Sequence, residues 1–461
     1  MSVEDNGINS GTKQTRYRFV MLALITMILT LSTADRATLS VAGVDMAREL
    51  GFNPFHMGYL FSAFSWAYVA MQVPSGWVGD KFGSKGTIFW GIALWSIVTV
   101  AMGSVHFFSF AFALLLGLRF LLGVFESPVG PASGKVIAAW FPSTERGIAG
   151  SIFNSAQYLS LAVFTPLMGW LAYTFSWHYV YIVMGVLGII MAALWYILFY
   201  VPTKHPKVNQ AELDYIQAGG GIIDMDANIG SEAQTAETKK QGFKISDITQ
   251  LFKSRMLVGI FIAQYCITAI SWFYLSWFPI YLVKEKGFSI LKAGFVASIP
   301  ALAGCIGGIL SGFVSDWILK KTGSVSLARK IPITIGFTLS ALIVICNYVD
   351  SSQVVIALMS AAFFGKGFGN LGWTVVADTA PKKIVGITGG VFNSIGQASG
   401  IITPVVIGYI LEVTGSFNGA LVFVGAHGLV AILSYWIIVG KIQRFELESE
   451  VSKSFSENAN V

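Results

Sequence analysis

Twelve apolar runs limit this chain more than any other feature. They fall at about 19–44, 57–79, 86–105, 107–139, 147–171, 178–201, 256–282, 292–319, 331–349, 353–378, 385–412 and 418–440. A bilayer core needs about 20 apolar residues of helix, whereas a membrane strand needs only ~9–11 residues of alternating character. The runs are continuous and long, so they predict helices. Only 12% of residues are charged and mean hydropathy is +0.68, against about 25% charged in a soluble domain. The expected fold class is an all-α membrane protein with twelve transmembrane helices.

The longest polar interval, residues 202–255, divides the runs six and six. The expected organisation is a cytoplasmic N-terminal tail (1–18), a six-helix bundle (19–201), a cytoplasmic linker (202–255), a second six-helix bundle (256–440) and a polar, disordered cytoplasmic tail (441–461). No small-residue cleavage site closes the first run, which reads as a permanent span rather than a signal peptide. With both termini on one side, that side carries 22 Lys and Arg, against four in the opposite loops: Arg48, Lys284, Lys286 and Lys292. This bias makes the termini side cytoplasmic. The net charge of +6 therefore follows membrane topology, and no nucleic-acid partner is expected. Cys266, Cys305 and Cys346 lie in or near apolar spans without metal or disulfide spacing.

The two halves repeat. Gly58, Ser62, Gly76 and Asp80 recur as Gly294, Ser298, Gly312 and Asp316 at an offset of 236. Residues 141–155 and 380–394, offset by 239, share seven identities in fifteen, among them Pro142/Pro381, Phe153/Phe392, Asn154/Asn393 and Ser155/Ser394. Hydrophobicity alone does not force Pro, Asn or Ser. A parallel six-span repeat is the layout of major facilitator transporters. The stretch Gly76-Trp77-Val78-Gly79-Asp80-Lys81-Phe82-Gly83-Ser84-Lys85 resembles the Gly-x-x-x-Asp-Arg-x-Gly-Arg-Arg loop of that superfamily. Asp80 is expected to accept hydrogen bonds from helix N-termini across the half interface and to latch one conformation, with Asp316 as its echo.

Few charges lie within the runs. Asp35 and Arg36 are adjacent in Thr33-Ala34-Asp35-Arg36-Ala37-Thr38, and Arg119 and Glu126 stand seven apart in span four. Such a charge costs ~2.5–3.5 kcal/mol on insertion scales, so it marks a functional site by default. Asp35 and Arg36 point about 100° apart on a helix and cannot simply pair. The expectation is that Asp35 pairs with Arg119, that Arg36 is free to face a cavity, and that an unpaired Glu126 takes up and releases a proton. A permanent ion-pair cluster joining spans one and four is the alternative. Pro128 and Pro131 are expected to break span four beside Glu126 and free backbone groups there. Lys135, Lys366 and Asn154 are further polar intramembrane positions whose facing stays open.

These motifs carry a more specific resemblance. Asp35-Arg36-Ala37-Thr38-Leu39-Ser40, Arg119, and Gly123-Val124-Phe125-Glu126-Ser127-Pro128 resemble the anion:cation symporter family of the major facilitator superfamily. So do Phe61–Tyr68, Ala138–Pro142, Phe153–Tyr158 and Gly389–Asn393. The likeness is greatest to its bacterial glucarate/galactarate (aldarate) transporters, with galactonate and hexuronate transporters near by. It implies proton-coupled import of a sugar acid across the bacterial inner (cytoplasmic) membrane. By that resemblance the proton-coupling residues are Asp35, Glu126 and Arg119, and Arg36 holds the substrate carboxylate. Tyr68, Gln157, Gln264, Asn393, Trp373 and Thr374 line the cavity. Relatives often carry an aromatic residue where this chain has Thr33. A guanidinium suits a carboxylate because it binds it bidentately and stays charged. No nucleotide-binding loop, nucleophile–base pair or metal constellation stands out, so a non-enzymatic secondary transporter without cofactor, working as a monomer, is expected. An organophosphate exchanger and a non-transporting receptor on the same scaffold are the alternatives.

Overall fold

The computed structural model describes residues 14–225, 245–381 and 384–447, without the side chains at 73, 76, 77, 80 and 245–247. The twelve expected spans are helical. Span one is Tyr17–Leu50, spans two and three share Pro54–Met102, span four is Ala111–Glu126 with Val129–Trp140, span five is Ser143–Thr174 and span six is Trp177–Leu198. Spans seven to twelve begin at Arg255, Ile290, Val325, Ser352, Val385 and Asn418. Spans two and three run together because the turn between them is tight. Gly83, at φ 71°, supplies the only non-helical backbone inside the stretch, a conformation open to glycine at little cost.

Among the described residues, ten helices are long and apolar enough to cross a bilayer. The two spans outside that ten are the first leg of Pro54–Met102 and Ser143–Thr174. These legs carry His56, Ser62, Ser65 and Gln72, and Ser155, Gln157, Ser160 and Thr165. These polar side chains lower the hydropathy of both legs, which pack on spans eleven and eight of the other half respectively. Apolar side chains such as Phe295, Phe313 and Trp436 are exposed on outer faces, as a lipid-facing surface requires.

The repeat seen in the sequence becomes a pair of matching contacts. A Cβ at Gly58 would lie 2.7 Å from the Pro404 carbonyl, and one at Gly294 would lie 2.7 Å from the Thr165 carbonyl. Spans two and eleven thus approach backbone to backbone, as do spans eight and five, and only glycine permits it. All these contacts lie away from the termini. On the same stripes nearer the termini, a Cβ at Gly147, Gly150, Gly386 or Gly390 would meet nothing among the described residues within 4 Å. The halves are therefore closed on the far side and diverge towards the termini side.

The described parts of the linker and tail, residues 202–225 and 441–447, are held by specific contacts despite their polarity. Glu212 of the linker helix Gln210–Ala218 is fully buried. It accepts from the Thr15 hydroxyl at 2.7 Å, the Tyr17 and Arg18 amides at 3.1 and 3.2 Å, and the Arg18 guanidinium at 3.3 Å. Glu145 also accepts from Arg18 at 3.0 Å and from the Tyr215 hydroxyl at 2.8 Å. The early linker thus belongs to the first half. The expectation that the tail is disordered needs correction for residues 441–447; its remainder, 448–461, lies outside the described residues. Phe445 donates to the Thr379 carbonyl at 2.8 Å and Leu447 is fully buried, because the apolar Phe445 and Leu447 have a surface to cover.

Candidate functional site

Span four breaks where Pro128 denies it a regular continuation. One helix ends at Glu126 and the next starts at Val129. Gly123 brings this segment against span two so closely that a Cβ there would lie 2.3 Å from the Phe64 carbonyl. Arg119, Glu126 and Asp35 are buried.

The charges do not pair as the sequence suggests. Arg36, not Asp35, reaches span four. Its Nε donates to Glu126 Oε1 at 2.7 Å, and its Nη2 donates to the same oxygen. The Ser32 hydroxyl, one turn earlier on span one, donates there too. Asp35 turns instead to span three, where Thr99 Oγ1 donates to Oδ2 at 2.5 Å. Arg119 forms no ion pair with Asp35; its Nε donates to the Leu60 carbonyl at 3.2 Å, and Nη1 and Nη2 have no hydrogen-bond partner. The reason is reach. The long guanidinium stem of Arg36 crosses to the break, whereas the short Asp35 stem takes the nearest hydroxyl. The roughly 100° between them was legible, but which of the two faces span four was not.

Arg36 also lies over two rings of span two, with its guanidinium carbon 4.8 Å from the Phe64 centroid and 5.0 Å from that of Tyr68. Phe64 stacks on Tyr68 at 5.4 Å, and the Arg119 guanidinium carbon lies 5.9 Å from its centroid. Two guanidinium groups thus share one ring, a favourable use of its negative face. Asp35 Oδ1, Glu126 Oε2 and the Thr33 hydroxyl are buried with no hydrogen-bond partner. This cluster holds spare acceptors and donors in a low-dielectric site.

The other expected residues lie on both halves. Gln157 is exposed on the divergent stripe of span five. Gln264 and Asn393 are half-buried, with Gln264 against Gly372 and Gly396. Trp373 is exposed and meets Phe392 edge-on at 5.0 Å; Thr374 is half-buried beside it. Asn154 is exposed and donates to the Gly150 carbonyl at 2.9 Å. Lys135 is half-buried on the termini side of the break, close to Gly79. The Asp80 side chain lies outside the described residues. Asp316 is exposed; its neighbour Ser315 accepts instead from Arg329 at 2.6 Å, and Arg329 pairs with Asp378 at 2.9 Å.

Lys366 faces the other half. Its Nζ donates to the Tyr158 hydroxyl at 3.2 Å, and Asn370 Nδ2 donates to the same oxygen at 2.8 Å. Sequence reasoning missed Ser32, Thr99, Tyr158 and Asn370. Helical spacing could have found two of them, since Ser32 stands four before Arg36 and Asn370 four after Lys366. Thr99 and Tyr158 are reached through tertiary packing and leave no such trace.

The model of the Major Facilitator Superfamily matches residues 25–328. The probable galactarate/D-glucarate transporter GudP of Escherichia coli (strain K12) is 49% identical over 451 residues, covering 97% of this chain and 99% of that protein. The protein of the same description from Bacillus subtilis (strain 168) is 51% identical over 445 residues, 96% of each chain. A D-galactonate transporter of Escherichia coli O6:H1 is 39% identical, covering 94% of this chain and 98% of that one. Among solved structures, a D-xylose-proton symporter aligns with a TM-score of 0.69 at 15% identity, covering 94% of this chain and 100% of that one, a likeness of fold.

Proposed function

Since the chain belongs to the major facilitator superfamily, we propose that it imports a sugar acid of the galactarate/glucarate type across the bacterial inner membrane by proton symport. The termini face the cytoplasm, the tails and linker lie there, and the bundles 19–201 and 256–440 rock about a site at mid-membrane depth. A single monomer is the transport unit.

The observation that carries this reading is the pair between Arg36 and Glu126. A guanidinium already held by a carboxylate is not free for the carboxylate of a substrate. Protonation of Glu126 removes the competing charge, releases Arg36 and lets it bind substrate bidentately. Asp35 is the second proton site, since its buried Oδ1 has room for a proton without losing the Thr99 bond. Arg119 balances whichever carboxylate is charged. Tyr68, Gln157, Gln264, Asn393 and Thr374, whose groups both donate and accept, surround the polyol hydroxyls together with Trp373, whose indole N–H donates. Asp80 and Asp316 act at the cytoplasmic gate.

Uptake of labelled galactarate by proteoliposomes should follow an imposed proton gradient. Arg36→Ala deletes a charge-assisted contact, so it should weaken binding by about 10- to 150-fold. Unchanged affinity there removes the assignment, and phosphate counterflow without proton movement would replace it with an exchanger.

A further inference from the structure

We propose that Lys366, with Tyr158 and Asn370, holds the second carboxylate of a dicarboxylic sugar acid and so makes the site prefer aldarates over aldonates. This rests on Arg36 taking the first carboxylate, as argued above.

Lys366 stands two residues before the end of the helix Ser352–Phe368, at the break in span ten. Its helix cannot turn freely. A Cβ at Gly365 would lie 2.3 Å from the Gly336 carbonyl, and one at Gly367 would lie 2.5 Å from the Gly304 carbonyl. The flanking glycines are pressed onto spans nine and eight, which leaves the residue between them pointing at the gap between the halves. There its Nζ lies over the rings of Tyr158 and Phe363, 4.9 and 5.4 Å from their centroids. Among the described residues no carboxylate pairs with it.

The hydrogen bonds make the cluster rich in donors. The Tyr158 oxygen accepts from both Lys366 and Asn370. A phenolic oxygen has one proton beyond the lone pairs so used, and that O–H is left to donate. An ammonium has three N–H groups, of which one is spent on Tyr158. This half-buried cation has a neutral phenol as acceptor and, among the described residues, no anionic one, and carrying it at membrane depth is expensive without one. A carboxylate is that acceptor.

Span four breaks after Glu126 and span ten after Phe368. Halves related by an axis along the membrane normal place these two breaks at similar depth on opposite sides. Arg36, tied to Glu126, and Lys366 are therefore one cation from each half at one level. A hexaric acid carries a carboxylate at each end and satisfies both. A hexonic acid ends in a neutral hydroxymethyl group and leaves the ammonium unmatched.

The test is competition binding of galactarate and galactonate to purified full-length protein in proteoliposomes. In Lys366→Met the ratio of galactarate to galactonate affinity should fall roughly tenfold or more. Lys366→Arg should restore most of it, and Tyr158→Phe should fall between. An unchanged ratio in Lys366→Met, or equal loss for both acids, would overturn the proposal; equal loss would make the cluster a strut between halves. Should Lys366→Met not fold, the ratio in Tyr158→Phe decides in the same way. Wild-type protein that binds neither acid sinks the sugar-acid reading and this inference together. Wild-type binding of both, with a ratio insensitive to Lys366, sinks only this inference.

Discussion

The breaks in spans four and ten invite comparison, because the repeat relates them and yet they carry opposite charge and opposite habits. At the first break Glu126 is caged by Arg36 and Ser32, both from span one of the same half. At the second, Lys366 and Asn370 reach out of their own half to Tyr158 of the other. A contact within one bundle survives when the bundles rock; a contact between bundles is remade. The acidic break is thus suited to hold a charge state through the cycle. The basic break is suited to sense whether the halves are closed on something. On the proposed proton symport, the two duties of coupling would fall to two copies of one structural device.

The largest effect should come from removing the acid at the first break. Glu126→Gln keeps the shape and the Ser32 contact but fixes the group as neutral. Gradient-driven accumulation should fall to simple equilibration, while exchange of labelled for unlabelled substrate continues, because Arg36 is then permanently released. Flux measured in both modes checks this. Persistent accumulation would show that the within-bundle cage is not the proton switch.

Next is the packing that holds the first break. At Gly123 a Cβ would meet the Phe64 carbonyl at 2.3 Å and the Tyr68 amide nitrogen at 3.1 Å. Both are backbone atoms, so span four must shift. Gly123→Ala should cost about 1–3 kcal/mol by overpacking, read as a lower melting temperature of the solubilised protein. The displaced Arg36 platform should also weaken substrate binding. Gly386→Ala, where no described atom lies within 4 Å, should leave the melting temperature unchanged. If both glycines tolerate alanine equally, close packing does not set the site.

Much of this was readable from the chain alone, and the reason is that membranes simplify the problem. Twelve long apolar runs have few alternatives, and the glycines shared at offset 236 marked the repeat, though not the backbone contacts that Gly58 and Gly294 make between the halves. Intramembrane charge identified Asp35, Arg36, Arg119 and Glu126 as one neighbourhood. The pairing inside that neighbourhood was not readable. Helical phase separates Asp35 from Arg36, but the choice between Glu126 and Arg119 as partner depends on interhelical distance, which Gly123 and Phe64 set through packing. Tyr158 and Thr99 were invisible for the same cause: a hydroxyl in a span looks like helix–helix glue until its partner is known. The order of residues 441–447 was missed because local polarity outweighs two apolar anchors in any sequence window.

The smallest predicted effect separates the two breaks most cleanly. Ser32→Ala and Asn370→Ala each delete one polar group with one contact to the charged cluster, so each should cost only about 0.5–1.5 kcal/mol of net hydrogen bonding. Where that energy appears should differ. Ser32 and Glu126 move together in one bundle, so Ser32→Ala should lower the melting temperature slightly and leave the balance of open and closed forms alone. Asn370 and Tyr158 belong to different bundles, so Asn370→Ala should shift that balance by about 2- to 10-fold. Labelling single cysteines introduced at Gly150 and Gly386, on the divergent stripes, would report it as a change in reactivity from the termini side. Equal shifts in both variants would mean that the two bundles are not independent bodies, and the division of labour between the breaks would fall with that.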